Sequence, residues 1–210
     1  MLAALAFLAT TVTLTPTDDV WVYPHASDQA GDIYLRVWGA EGREVPTKVA
    51  EIQDFGFSYL KWDVSKVPSG TLTAAKLILT HIPNPGFAAD YAKDNPLHVR
   101  PVGSNWNEKT WEYDMAEQIM PDADAKNIFG GGFPTKWEPG KEFTITIDLM
   151  KGPGNFKAYL DQAEHSKDHA LAVALTAGLD VEAFGQGSIY KVYSTNADAP
   201  KRPRLELTIE

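Results

Sequence analysis

Gly56–Val64 reads GFSYLKWDV and Thr73–His81 reads TAAKLILTH, with Pro68-Ser69-Gly70 between them. In the first stretch Phe57, Tyr59, Lys61 and Asp63 alternate with Ser58, Leu60, Trp62 and Val64. A β-strand turns successive side chains to opposite faces. This period of two therefore sets Leu60, Trp62 and Val64 on one core-directed face. Proline and glycine supply the backbone angles of a tight turn, so the two stretches predict two strands joined by one.

The pattern continues outward in both directions. Asp19–Tyr23 (DVWVY) is rich in strand formers and ends at Pro24, and Ile33–Trp38 (IYLRVW) alternates up to Gly39. Pro83-Asn84-Pro85-Gly86 ends the strand at His81. Phe87–Pro96 then reads as a loop carrying Asp90, Asp94 and Asn95. Leu97–Val102 is a strand whose Pro101 favours an edge position, because proline cannot donate to a ladder. Trp111–Pro139 reads as irregular, with a short helix at Met115–Met120 and the triplet Gly130-Gly131-Gly132. Loops of this length are uncommon unless they are functional. Glu142–Leu149 (EFTITIDL) alternates cleanly. Asn155 predicts the N-cap of a helix running to about Ser166, with Phe156, Tyr159, Leu160 and Ala163 on one stripe. Ala170–Thr176 (ALAVALT) is unbroken apolar sequence, as expected of a strand buried on both faces. Ser188–Tyr193 and Arg204–Ile209 are the last strands. Short strands punctuated by Gly, Pro and Asn predict an all-β jelly-roll sandwich with one short helix and long loops. It forms a single domain over residues 11–210.

Composition narrows the function classes. The chain has 210 residues, 44% hydrophobic and 22% charged, as an ordinary globular domain does. It contains no cysteine, which removes disulfides and thiolate metal sites. The net charge is −9, and the one tight basic cluster is Lys201-Arg202-Pro203-Arg204, so nucleic acid is not an expected partner.

Met1–Thr15 reads MLAALAFLATTVTLT. The stretch is too short to span a bilayer, which takes about 20 apolar residues. Two expectations compete for this 1–15 segment. It is a secretion signal with Ala4-Leu5-Ala6 as the cleavage site, although no Lys or Arg precedes Arg36. Alternatively it is a retained strand that a neighbouring subunit buries.

Ser58–Thr80 (SYLKWDVSKVPSGTLTAAKLILT) resembles a recurring secreted β-sandwich unit: an aromatic-Leu-x-Phe-Asp strand, a Pro-Gly turn, then an Ala-x-Leu-x-Leu strand. Trp106-Asn107-Glu108-Lys109-Thr110-Trp111 is similar to that family's Trp-x-Glu-x-Thr-Trp element. Tyr193-Ser194 followed by Arg202-Pro203-Arg204-Leu205 is similar to its terminal strand pair, and Thr11–Val22 to its first strand. The family is the DNRLRE-type, disaggregatase-related one, similar to carbohydrate-binding module family 96. Ser194-Thr195-Asn196 stands where the family has Ser-Arg-Glu. The resemblance implies a jelly-roll fold, secretion or display at the cell surface, binding of glycans such as alginate-like polymers, and often a structural calcium ion.

Aromatic side chains beside loops can stack on the apolar C–H faces of sugars, which makes Trp106, Trp111, Tyr113 and Trp137 the glycan candidates. Trp137, between Lys136 and Glu138, is the most open by sequence. Calcium takes several oxygen ligands, and Asp18 and Asp19 with Asp90 and Asp94 could supply them, as could Asp122 and Asp124. His165 and His169 are four apart near a helix end, a solvated terminus rather than a metal pair. Gly185-Gln186-Gly187-Ser188 lacks the order of a nucleophile elbow. No phosphate loop, dinucleotide fingerprint or zincin motif is present, and the expectation is a non-catalytic protein.

Two functions follow. The first is a structural subunit of a surface filament or matrix. Copies would join head to tail by donating the N-terminal strand, with Leu2, Leu5, Phe7, Leu8 and Val12 as the buried contacts. That reading expects Met1–Thr13 to make few contacts with its own domain. The alternative is a secreted module that binds an anionic polysaccharide.

Overall fold

The computed structural model describes residues 9–23, 30–39, 56–181 and 185–210. Among these residues eleven antiparallel strands form two packed sheets. They are β1 (Thr10–Leu14), β2 (Asp18–Val22), β3 (Tyr34–Val37), β4 (Phe57–Asp63), β5 (Leu72–His81), β6 (Leu97–Pro101), β7 (Gly130–Gly132), β8 (Phe143–Asp148), β9 (Ala170–Thr176), β10 (Tyr190–Tyr193) and β11 (Arg204–Ile209). In the first sheet β5 serves two neighbours along one edge, β11 beside Leu72–Ile78 and β10 at His81. β8 pairs with its other edge, and β1 and β3 lie outside β11 and β10. The second sheet has the order β2-β4-β9-β6-β7. Between described strands the chain changes sheet at every step except β6–β7 and β10–β11. The sandwich expected from the periodicity is present.

Its interior follows the alternation. Leu60 and Trp62 of β4 and Leu171, Val173 and Leu175 of β9 meet Leu77, Leu79, Ile145, Ile147 and Leu207 of the first sheet. All are at most 1% exposed, so solvent has no way between the sheets. The other face of the second sheet is buried too. Phe57 and Tyr59 of β4 and Ala172 and Ala174 of β9 pack under Val102, Trp106, Ala116 and Ile119. This second layer explains why β9 carries no polar alternation. By contrast the outward face of the first sheet keeps Lys76, Thr144 and Thr146 exposed.

Five sequence expectations change. Thr11–Val22 is two strands in two sheets, broken at Thr15-Pro16-Thr17. β6 is internal, not an edge. Its Pro101 pairs with Val173 on one side only, because β7 stops opposite Val99, so no ladder donor is missing. The Gly130-Gly131-Gly132 triplet is not loop but strand β7. The Phe87–Pro96 loop contains a short helix, α1 (Ala89–Asp94), and the helix expected at Met115–Met120 is a 3-10 turn at Tyr113–Glu117. The longer helix α2 (Phe156–Glu164) is as expected: Asn155 Oδ1 accepts from the Ala158 N–H at 3.0 Å, and Phe156, Leu160 and Ala163 are buried.

The start of the chain divides. Met1–Leu8, and with it Leu2, Leu5, Phe7 and Leu8, lies outside the described residues. Thr10–Leu14 pairs with its own domain, Val12 opposite Leu207. The expectation that residues up to Thr13 stand away from the domain is therefore corrected for Thr10–Thr13.

His81 closes one end of the core. It is fully buried, stacked 4.3 Å from Phe143 and packed on Phe87 and Tyr190. Its Nε2 accepts from the Lys191 N–H at 2.9 Å, so Nδ1 carries the proton and donates to the Ile82 carbonyl at 2.8 Å. Burial pushes the imidazole down from 6.5 to about 4. A depressed histidine contributes stability above its unfolded value, and that contribution is lost as pH falls from 6.5 through about 4. The His81 ring resonances should not titrate between about pH 5 and 7 by NMR, a range in which an ordinary imidazole changes charge. A midpoint inside that range would refute the buried neutral tautomer.

Candidate functional site

β7 leaves the second sheet at Gly132 and the chain returns as β8 in the first. The crossing loop carries Trp137. Its last turn is closed by the Lys141 N–H donating to the Glu138 carbonyl at 3.1 Å, with Gly140 left-handed at φ 73°. An ion pair between Lys141 and Glu138 spans the same turn. The Trp137 indole is half-buried against the main core. It lines two clefts at once. One, of about 630 Å3, also has Lys136, Lys141, Glu142, Thr144 and Thr146 in its wall. The other, of about 460 Å3, has Phe87, Asp90 and Tyr91. A half-buried ring between a polar cleft and a largely apolar one suits a ligand with one apolar face and a hydroxyl rim.

Glu142 extends this site. It accepts from the Tyr193 hydroxyl at 2.5 Å and from Lys201 Nζ at 2.6 Å, and Lys201 lies 4.7 Å over the Tyr193 ring. The Lys201 hydrogen bond, with that of Tyr193, holds the Glu142 carboxyl below the usual carboxylate range. The same bond raises the Lys201 ammonium, while partial burial raises the Tyr193 hydroxyl. Tyr34 adds a second ring 5.7 Å from Tyr193. Thus the basic segment Lys201–Arg204 reaches the Trp137 cleft through Glu142. Glu142, Tyr193 and Tyr91 were not sequence candidates. Tyr193 lay inside a quoted motif, but nothing local linked it to a residue 51 positions away.

The other aromatic candidates go elsewhere. Trp106 is 5% exposed, donates its indole N–H to the Gly103 carbonyl at 3.0 Å, and packs 5.9 Å from Tyr59 and 6.1 Å from Trp111. Trp106 and Trp111 thus belong to the second hydrophobic layer. Tyr113 opens a 3-10 turn beside them, and its side chain lies outside the described residues.

The four aspartates do not form one oxygen cage. Asp18 and Asp19 are buried on β2, whereas Asp90 and Asp94 are exposed on α1. Asp18 pairs with Lys61 Nζ at 3.2 Å and accepts the Glu108 N–H at 3.2 Å. Asp19 accepts the Thr195 N–H at 2.6 Å, and its own N–H donates to Glu108 Oε2 at 2.9 Å. These bonds tie β2, the Trp106–Trp111 element and the turn after β10 together. Burial, with help from the Glu108 and Asp18 charges, pushes the Asp19 carboxyl from 3.8 up to about 7. Asp122 and Asp124 serve their own loop, accepting the Asp124 and Lys126 N–H groups. Among the described residues no three His, Asp or Glu side chains converge on a point that could hold a metal ion. His165 and His169 each hold a separate carbonyl at the end of α2, those of Asp161 and Glu164, both at 2.7 Å.

No helix among the described residues is long and apolar enough to cross a membrane. Comparison with protein-family models and with curated proteins gives no match to this chain.

Proposed function

We propose that the protein is an extracellular glycan-binding module whose ligand stacks on Trp137. The observation that carries the reading is the placement of that one indole, half-buried and shared by a polar cleft and a largely apolar one. Lys136 and Lys141 stand in the wall of one cleft and Lys201 reaches that wall through Glu142, and in a chain of net charge −9 these ammonium groups favour carboxylated sugars over neutral ones. The likeness of Ser58–Thr80 and Trp106–Trp111 to a carbohydrate-binding family points the same way. A structural calcium ion of the kind the resemblance implies would sit outside the Asp18–Asp19 pair, three of whose four carboxylate oxygens are engaged by protein donors.

Affinity electrophoresis in gels cast with alginate-like and neutral polysaccharides tests the reading. Retardation is expected in the uronate gel. Trp137→Ala should weaken it by roughly tenfold, the equivalent of 1.4 kcal/mol. Wild-type mobility unaltered by every glycan, or altered equally for the variant, counts against it.

A structural subunit joined by donated strands is the second reading. What favours it is the apolar Met1–Ala9 sequence running directly into an exposed edge strand, β1. Pairing of Thr10–Leu14 within its own domain confines the donated part to Met1–Ala9.

A further inference from the structure

The edges of the two sheets are treated differently. β2 is buried along its whole length and gives the Asp19 N–H to Glu108. β7 packs on β8, so these two edges cover each other. β3 runs into a bridge between Trp38 and Gly56, with paired N–H···O bonds of 3.1 and 2.9 Å, which joins it to β4. Among the described residues β1 has a ladder partner on one side only, β11. Thr10, Thr11 and Thr13 are exposed, and Val12 and Leu14 are only half-buried. Proteins ordinarily guard such an edge with charge, proline or a bulge. Thr10–Leu14 has no charged residue and no proline, and its register with β11 is unbroken from Thr10↔Ile209 to Leu14↔Leu205.

We propose that β1 pairs with β1 of a second copy of this chain, antiparallel about Val12. The strand is complementary to itself in that register. Val12 meets Val12, and Thr11 meets Thr13 of the second copy on both sides of the axis, so the half-buried apolar surface is covered across the seam. The charges allow it. On the outward face one row runs Lys76, Glu206, Thr13 and then Thr11, Thr208 and Ala74 of the second copy. Each Glu206 keeps its own Lys76 beside it, and the two Glu206 carboxylates fall in different rows. No like charges meet at the seam, despite a net charge of −9 on each chain. A five-residue strand pair lies at the small end of protein interfaces, below about 1,200 Å2, which makes the dimer reversible and concentration-dependent. The proposal is independent of the glycan reading.

Sedimentation equilibrium of the full chain tests it. Between about 10 µM and about 1 mM, a span suited to a weak interface, the average mass should climb from 23.1 kDa toward twice that value. Thr11→Lys with Thr13→Lys sets ammonium groups opposite each other across the seam at two exposed positions, and this variant should remain at 23.1 kDa. Because the chain has no cysteine, Val12→Cys creates its only thiol. Directly opposed β residues lie about 4.5–5.5 Å apart, within disulfide range. Oxidation should therefore link Val12→Cys at least roughly tenfold faster than Thr144→Cys, an exposed control on β8. Three results would overturn the proposal. They are a constant wild-type mass, equal association of the double-lysine variant, or growth beyond a dimer, which would indicate head-to-tail joining.

Discussion

Replacing Asp19 by Asn raises the unfolding temperature near pH 8 and leaves it unchanged near pH 4. The carboxyl is 1% exposed and titrates at about 7 in the folded chain against 3.8 for an ordinary aspartate. A carboxyl raised in this way favours the fold when protonated. Its contribution is complete below 3.8 and is lost as pH rises through about 7. The gap between these values corresponds to roughly 4 kcal/mol. For a chain of this length that is on the order of 10 °C. Asparagine stays neutral and keeps an oxygen for the Thr195 N–H, so it should remove the penalty without breaking the tie. Thermal unfolding of both proteins across that range provides the check. Coincident curves near pH 8 would show that burial does not raise the Asp19 carboxyl. His81 works in the opposite sense, losing its contribution toward acid. The wild-type stability is therefore expected to be nearly flat between about pH 4 and 6.5, where the two slopes oppose each other.

Gly130→Ala unfolds the protein at a much lower urea concentration than Gly131→Ala. A Cβ at Gly130 would lie 2.3 Å from the Asp148 carbonyl oxygen and 3.0 Å from Ile147. The first is backbone and cannot swing away. Here the edge of the second sheet lies against the edge strand of the first, and a methyl group would drive β7 from β8. Overpacking of this kind costs about 3 kcal/mol. At Gly131 the methyl would face the His98 ring at 2.9 Å, a side chain able to move. Equal midpoints for the two variants would mean that β7 does not seat against β8.

These glycines also show where sequence reading stops. β4, β5 and β8 announce themselves because side-chain polarity records which face each residue occupies, and β9 does so by its unbroken apolar run. Gly130–Gly132 has no side chains to carry that record, so a strand chosen for close approach looks like loop. Pro101 misleads for a related reason. Its missing N–H demands an unpaired position, and the short β7 provides one inside the sheet. Pro16 breaks what reads as one strand into β1 and β2. At the site, Trp137 was legible from its charged neighbours in a long loop. Its companions were not, because Glu142 meets Lys201 across 59 positions and the meeting depends on how β8 and β10 flank β5. Asp18 and Asp19 read as metal ligands because adjacent carboxylates look the same whether they await a cation or hold backbone N–H groups.

One measurement bears most directly on the central proposal. The chain has six tryptophans, hence six indole N–H cross-peaks in a nitrogen–proton correlation spectrum, and Trp137→Ala identifies one of them by its loss. Titration with a uronate oligosaccharide is predicted to shift the Trp137 peak, while the peaks of Trp106 and Trp111, packed in the second layer, stay in place. A ligand that binds without moving the Trp137 peak, or that moves the Trp106 and Trp111 peaks instead, would contradict it.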